Sequence, residues 1–348
     1  GVGKIFAAGV RVRSAIHTTG GWHERTANFR RRIVLFMILC VTPNPAIDRT
    51  LHVNSLHVGE VHRTDNVLVV AGGKGLNVAR TIRGLGGEPF CMGLIGGHTG
   101  SLLADLAQEE GLAAHWTPAK NETRTCIIVV ENGRDATVIN ERGADVSEAE
   151  CLSLCEHVWE VSARADIVCV SGSLPPGFSS EIFQSLLSGL VKRRESVWVD
   201  TSGQALSTAL NVNGINIKVN AGELGEVLDM EISNAEQVQK VGAQLCGRGV
   251  ASVVVTMGKD GALWNSSAGV WFAKPPQVET VSSVGSGDAF LGGLALALEK
   301  DYSPEIALRH GVAAGAANAL HFGGGVVKQG EIEEIYKAVK SCRKREIQ

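Results

Sequence analysis

From residue 37 onward the sequence alternates short β-branched or apolar runs with stretches of helical period, and that alternation leaves the chain few folds to adopt. Residues 37–42, 89–94, 167–171, 196–200, 215–219 and 252–256 have strand length and strand composition. Between them lie residues 75–85, 100–110, 180–194, 234–246 and 288–300, whose apolar positions recur at helical spacing. Strands separated by helices of this length form βαβ units around a mainly parallel sheet, so the expectation is an α/β domain. Two segments break the rhythm. Residues 49–70 and 123–140 alternate apolar and polar positions over short lengths, as half-exposed antiparallel strands do. They are expected to form a small second sheet, a lid inserted into one domain of residues 37–340, with 341–348 as a tail. No low-complexity linker or internal repeat divides it.

Charge and composition exclude several classes of function. With 33 basic and 36 acidic residues the formal net charge is −3, so no global field draws in nucleic acid or an anionic membrane. Any anionic ligand must be held locally. The longest early apolar stretch, residues 33–41, is far shorter than the ~20 residues a membrane span needs. The eight cysteines are scattered without any Cys-x-x-Cys, and only Cys151 and Cys155 are close, at helical spacing. They read as core thiols of a reducing cytosol, and the protein as cytoplasmic. Residues 1–36 carry Arg11, Arg13, Arg25, Arg30, Arg31 and Arg32 against the single acid Glu24. That composition resembles a transit peptide. We take the plainer reading of a disordered upstream extension or misassigned start, with Met37 as the functional beginning.

Two glycine motifs carry the chemistry. In Val284-Gly285-Ser286-Gly287-Asp288 the glycines allow a tight turn, and an apolar helix follows at once. Free N–H groups and the macrodipole make such a helix start an anion site. Asp288 in its first turn could take a proton from an attacking hydroxyl beside that anion; read alone, it is equally an N-cap. The second motif, Ala71-Gly72-Gly73-Lys74-Gly75-Leu76-Asn77, also opens a helix. Its glycines admit a ligand close to the backbone, while Lys74 and Asn77 offer a cation and an amide; a purely structural turn is the alternative. It is not a Walker A loop, because Gly75 follows Lys74 where Ser or Thr is required.

The two motifs, their order and their separation resemble the paired signatures of the PfkB, or ribokinase-like, family of carbohydrate kinases. Val170-Ser171-Gly172-Ser173-Leu174-Pro175-Pro176-Gly177, Lys218-Val219-Asn220-Ala221-Gly222-Glu223 and Thr256-Met257-Gly258-Lys259-Asp260-Gly261 are similar to family segments in the same order. Asn44-Pro45-Ala46-Ile47-Asp48, Lys74 and Ser-Gly-Ser-Leu-Pro-Pro-Gly resemble the branch of 1-phosphofructokinases and tagatose-6-phosphate kinases. The resemblance implies a ribokinase-like three-layer αβα sandwich with a β-sheet lid and a homodimer joined through the lids.

It also implies roles. Asp288 corresponds to the catalytic base, with Gly285, Ser286 and Gly287 as the anion hole. Asp48, Gly73, Lys74, Asn77, Arg124 and Ser173 correspond to residues around the sugar and its phosphate, with Lys74 and Arg124 supplying a cationic pocket. Lys218, Asn220, Glu223, Thr256, Gly258, Gly261 and Asn318 correspond to the ATP side, Glu223 helping to hold Mg2+ mostly through water. Val219 stands where the family usually has Pro, and Ser286 where it usually has Ala; neither removes a functional group. The implied reaction is ATP-dependent phosphorylation of a ketohexose monophosphate, fructose 1-phosphate first, giving fructose 1,6-bisphosphate. Tagatose 6-phosphate or fructose 6-phosphate is the alternative, followed by a free sugar or nucleoside, and last a non-catalytic sugar-phosphate sensor.

Overall fold

The computed structural model describes residues 38–131, 136–193 and 196–344. The reading of residues 1–36 as an extension therefore lies outside the described residues, as does Met37. In chain order the elements are β1 (Ile38–Thr42), β2 (Ala46–Val53), β3 (Val67–Gly72), α1 (Lys74–Gly84), β4 (Pro89–Ile95), α2 (Gly97–Glu109), β5 (Ala113–Pro118), β6 (Arg124–Glu131) and β7 (Thr137–Asn140). There follow α3 (Glu148–Ser162), β8 (Ile167–Ser171), α4 (Ser180–Lys192), β9 (Ser196–Asp200), α5 (Gly203–Ala209), β10 (Asn216–Asn220), α6 (Ala221–Leu228), α7 (Ala235–Gly247) and β11 (Ser252–Thr256). Last come β12 (Ala262–Ser266), β13 (Gly269–Lys274), α8 (Ser286–Glu299), α9 (Pro304–Asn318), α10 (Gln329–Ala338) and β14 (Lys340–Lys344).

Among the described residues the main sheet runs β14-β13-β12-β11-β10-β9-β8-β1-β4-β5. Strands β11, β10, β9, β8, β1, β4 and β5 are parallel neighbours. The antiparallel β12, β13 and β14 extend one edge. Successive side chains of a strand face opposite ways, and here both faces are covered. Ile38 and Cys40 join a core with α1, α2, α8, α9 and α10. Leu39 and Val41 join a second core with α3, α4, α5, α6 and α7. Three layers result, as the sequence implied. A buried Leu, Ile or Phe is worth about 1.5–3 kcal/mol. Runs such as Ile167–Ser171, buried at every position, thus stabilise the sandwich from both faces.

The lid differs from its expectation in one respect. Its strands are ordered β3-β2-β6-β7. The outer pairs are antiparallel, but the central pair β2 and β6 is parallel, Ala46 facing Arg124 and Val53 facing Glu131. The chain leaves the lid after β3, passes through α1, β4, α2 and β5 in the main layers, and returns in the same direction as β2. A parallel pair needs such a crossover. The end of the domain also moves. Residues 341–344, expected as tail, join Lys340 in the edge strand β14, which pairs with β13 and whose polar, basic composition suits a solvent-facing edge.

Candidate active site

The candidate residues gather at the carboxyl ends of the parallel strands, where open α/β sheets place their ligand crevice. At the centre is the start of α8. Gly285 is left-handed, with φ +78°, and a Cβ there would lie 2.3 Å from Gly324 Cα, so only glycine fits. No side chain caps this helix. Its first helical bond runs from the Ala289 amide to the Gly285 carbonyl at 2.8 Å, and the Gly287 and Asp288 amides lie ahead of it. The Ser286 amide donates instead to the Ser283 carbonyl at 3.2 Å. Of the three anion-hole residues read from the sequence, Gly287 therefore offers the free amide, Gly285 the turn, and Ser286 a link to neighbouring structure.

Asp288 is buried in this turn, 6% exposed, and its Oδ2 accepts from Asn77 Nδ2 at 2.8 Å. It is not a cap. Burial raises its pKa to about 6 and the charge of Asp200 adds to the rise, while Lys74, Lys218 and the Asn77 bond oppose it. A carboxylate titrating there is ionised at neutral pH yet basic enough to accept a proton.

Asp200 organises the cations around it. It ends the apolar strand β9 and is wholly buried. Its Oδ1 accepts from Lys74 Nζ at 2.9 Å and its Oδ2 from Lys218 Nζ at 2.6 Å. Burial alone would raise its pKa, but the two ammonium groups outweigh burial and hold it low. Burial likewise opposes the charge of Lys74, yet Asp200, Asp288 and Glu223 hold its pKa above the ordinary lysine range. Lys218 lies against the anion turn: a Cβ added at Gly287 would sit 2.7 Å from its Nζ. The sequence reading missed Asp200. Its one signal is an acid closing an otherwise apolar buried strand.

Lys74 and Arg124, expected to share a phosphate pocket, have separate partners. Lys74 Nζ reaches Glu223 Oε1 at 3.3 Å besides Asp200, which puts it at the anion turn. Arg124, at the start of β6, donates from Nε and Nη2 to the Asn44 carbonyl at 3.2 and 3.0 Å, and from Nη1 to the Glu141 carbonyl at 3.0 Å. Asn44 Nδ2 in turn reaches Ser173 Oγ at 3.1 Å. Arg124 and Asn44 line a small cavity with Leu94, Thr123, Val146 and Pro175; Lys74 is not among its walls. Between the two ends lies Asp48 on β2. Its Oδ2 accepts from the Gly73 amide at 3.4 Å, and a Cβ at Gly72 would fall 2.0 Å from its Cγ. Burial raises the Asp48 pKa; the Gly73 bond, Arg80 and Arg124 pull it down.

The nucleotide-side residues divide. Asn220 caps α6, accepting from the Glu223 amide at 2.8 Å, while Glu223 Oε2 accepts from the Asn220 amide at 3.2 Å. That reciprocal pair is a capping box, and it satisfies orphan donors at the crevice. Thr256 ends β11, and Gly258 and Gly261 bracket the single 3-10 turn that follows. Asn318 differs from expectation. Fully buried, it donates to the Val284 carbonyl at 2.8 Å and Ser286 Oγ at 3.3 Å and accepts from the Val326 amide at 3.1 Å. Its side chain is spent holding the anion turn and the Val326 amide.

Known proteins bear on this geometry. Residues 41–329 match the family model described as pfkB family carbohydrate kinase. The chain belongs to the pfkB family of carbohydrate kinases. Among pfkB relatives, the 1-phosphofructokinase of Bacillus subtilis is 32% identical over 284 residues, 82% of this chain and 93% of that protein. The ATP-dependent 6-phosphofructokinase isozyme 2 of Escherichia coli is 36% identical over 268 residues, 76% of this chain and 86% of that one. The crystal structure of Escherichia coli phosphofructokinase-2 in complex with fructose-6-phosphate superposes with a TM-score of 0.80 at 31% identity, covering 88% of this chain and 99% of that one. The pfkB fold and the ordered motifs thus agree with the sequence reading.

Proposed function

We propose that this pfkB kinase transfers the γ-phosphoryl group of ATP to a free hydroxyl of a ketohexose monophosphate, with fructose 1-phosphate first among the acceptors. One observation carries the reading: a buried carboxylate with a pKa raised to about 6 sits in the first turn of an uncapped helix, beside two lysines. Asp288 removes the hydroxyl proton as the oxygen attacks the γ-phosphorus. The new P–O bond forms as the bond to the bridging oxygen of ADP breaks. The free amides of the α8 start, with Lys218 and Lys74, stabilise the charge on the transferring group. Asp48 accepts hydrogen bonds from the sugar hydroxyls. Arg124, steadied by Asn44, binds the phosphate already on the sugar.

The names of the relatives support a phosphorylated ketohexose, and the similarity to 1-phosphofructokinases supports fructose 1-phosphate; fructose 6-phosphate or tagatose 6-phosphate is the second reading. Glu223 keeps a partly exposed carboxylate, which fits a water-mediated hold on Mg2+. When bound, that ion neutralises charge on the ATP phosphates. Among the described residues no group of three His, Cys, Asp or Glu could hold a metal by itself. No described helix is long and apolar enough to cross a membrane. The exposed lid residues Val67, Leu68, Val138 and Ile139 support a homodimer through the lids.

The test is a coupled ADP-release assay with fructose 1-phosphate, fructose 6-phosphate, tagatose 6-phosphate and free hexoses. The expected result is a kcat/KM for one ketohexose phosphate at least about tenfold above every free hexose, a 1.4 kcal/mol preference. A free sugar as best acceptor would overturn the reading.

A further inference from the structure

Arg80 lies three residues after Asn77 on α1, on the same helix face, and plays no part in the roles given so far. Its guanidinium makes five hydrogen bonds. Nε and Nη2 donate to Glu110 Oε2 and Oε1, the second at 3.0 Å. Nη2 also donates to the Ala71 carbonyl at 2.6 Å, and Nη1 to the Gly324 carbonyl and Asn77 Oδ1, both at 2.7 Å. Five is the whole donor inventory of an arginine, and lysine cannot reproduce the fork. Glu110, the C-cap of α2, completes the arrangement by accepting the Ala71 amide at 3.2 Å.

The chemistry of this cluster dictates which way the Asn77 amide points. A guanidinium has no acceptor, so the atom facing it must be Oδ1. Nδ2 is thereby turned to Asp288 Oδ2, 2.8 Å away. An ionised carboxylate only accepts, so this is the one orientation that serves both neighbours. A reversed amide would set two oxygens against each other at the base. With Oδ2 occupied by Asn77, Oδ1 is left for an incoming hydroxyl.

We propose that Arg80, held by Glu110, is a positioning residue for phosphoryl transfer, fixing the Asn77 amide so that Asp288 presents one committed and one reactive oxygen. The inference rests on the reading of Asp288 as the base. Arg80 touches no reacting atom and acts through Asn77. Besides that amide, Asp288 faces Asp200 of β9, which raises its pKa, and Lys218 of β10 and Lys74 of α1, which lower it. Loss of the Asn77 bond removes one lowering influence and leaves the other three in place. The acid limb of the rate profile then moves to higher pH.

The experiment is a mutant cycle on the full chain with the best sugar phosphate: wild type, R80K, N77A and R80K/N77A, each with kcat, KM and a pH profile. R80K is expected to lower kcat about tenfold to a hundredfold, as small misplacements in a transfer site do. It should change the sugar KM by less than about threefold, under 0.7 kcal/mol, and raise the acid limb. In the N77A background it should add less than about a twofold loss, the limit within which coupled sites are told from independent ones. Equal losses in both backgrounds, or a KM effect with an unmoved acid limb, would overturn the proposal. Should R80K fail to fold, E110Q in the same cycle carries the same two outcomes. An inactive wild type would instead refute the proposed function, so the two failures are distinguishable.

Discussion

Asn77 Nδ2 donates to Asp288 Oδ2 at 2.8 Å, joining two buried side chains 211 residues apart. The bond links the two glycine motifs and gives the carboxylate a defined geometry. Asp288→Asn is isosteric, so it keeps the packing and removes the base. A general base contributes about 10²–10⁴-fold, and kcat should fall by that factor while the KM for ATP holds. Initial rates with saturating sugar phosphate measure it. Retained turnover would refute the role.

The pH dependence follows from the same carboxylate. Its pKa is raised to about 6, and only the ionised form accepts a proton. Turnover is expected to fall tenfold for each unit of pH below about 6, and to be flat above it until another group titrates. A profile of kcat/KM with an acid limb near pH 4, the ordinary carboxylate value, would contradict this assignment.

Stability should run the other way. A carboxyl group whose folded pKa lies above its unfolded value of 3.8 favours folding fully only below that value. The contribution is lost as pH rises toward about 6, and above that the burial penalty is complete. Asp288→Asn removes the penalty. The variant is expected to be more stable than wild type near pH 8 by at most about 3 kcal/mol, and equal to it near pH 4. Urea unfolding at both pH values measures the difference, and equal stability near pH 8 would show that the carboxylate is not strained.

The sheet was legible because burial on both faces leaves a plain signature. Ile167–Ser171, Ser196–Asp200 and Ser252–Thr256 are apolar and β-branched throughout nearly their whole length, and the sequence bounds and the structural bounds agree. In the hairpin of β12 and β13, Trp264 stands opposite Trp271, and the small residues Ser267 and Ala268 make the turn between Ser266 and Gly269. Strand β5 was not, since Ala113–Pro118 is a half-exposed edge with little β-branched character. Helix α3 went unread although Ser147 and Glu150 spell its capping box. The direction of β2 relative to β6 leaves no local trace, because alternation reads the same in parallel and antiparallel pairs. In the site, glycine turns mark themselves. Asp200 does not, as its partners Lys74 and Lys218 are distant in sequence and one acid at a strand end has no spacing to read.

Asp200 offers a separate test. It neutralises Lys218, whose side chain is 4% exposed, and Lys74, at 32%. Removing one partner of a buried pair leaves an uncompensated charge and costs about 3–5 kcal/mol. Asp200→Asn should lose stability on that scale by urea unfolding. Lys218→Met should cost much less in the Asp200→Asn background than in wild type, because the unpaired ammonium is then gone. Additive losses would mean that the pair is not coupled.

The last expectation separates the two ends of the site. Arg124 is fixed to backbone carbonyls of Asn44 and Glu141, whereas Lys74 is fixed to Asp200 and Glu223 beside the anion turn. If Arg124 binds the phosphate already on the sugar, Arg124→Ala removes charge-assisted hydrogen bonds worth about 1.5–3 kcal/mol. The sugar-phosphate KM should then rise roughly tenfold to a hundredfold, with kcat and the KM for ATP little changed. Lys74→Met should do the reverse, lowering kcat, because its ammonium meets charge that develops only as the phosphoryl group moves. Steady-state kinetics of both variants against the same sugar phosphate decide the matter. A kcat loss in Arg124→Ala with a KM loss in Lys74→Met would exchange the two ends, and the sugar would have to enter the site reversed.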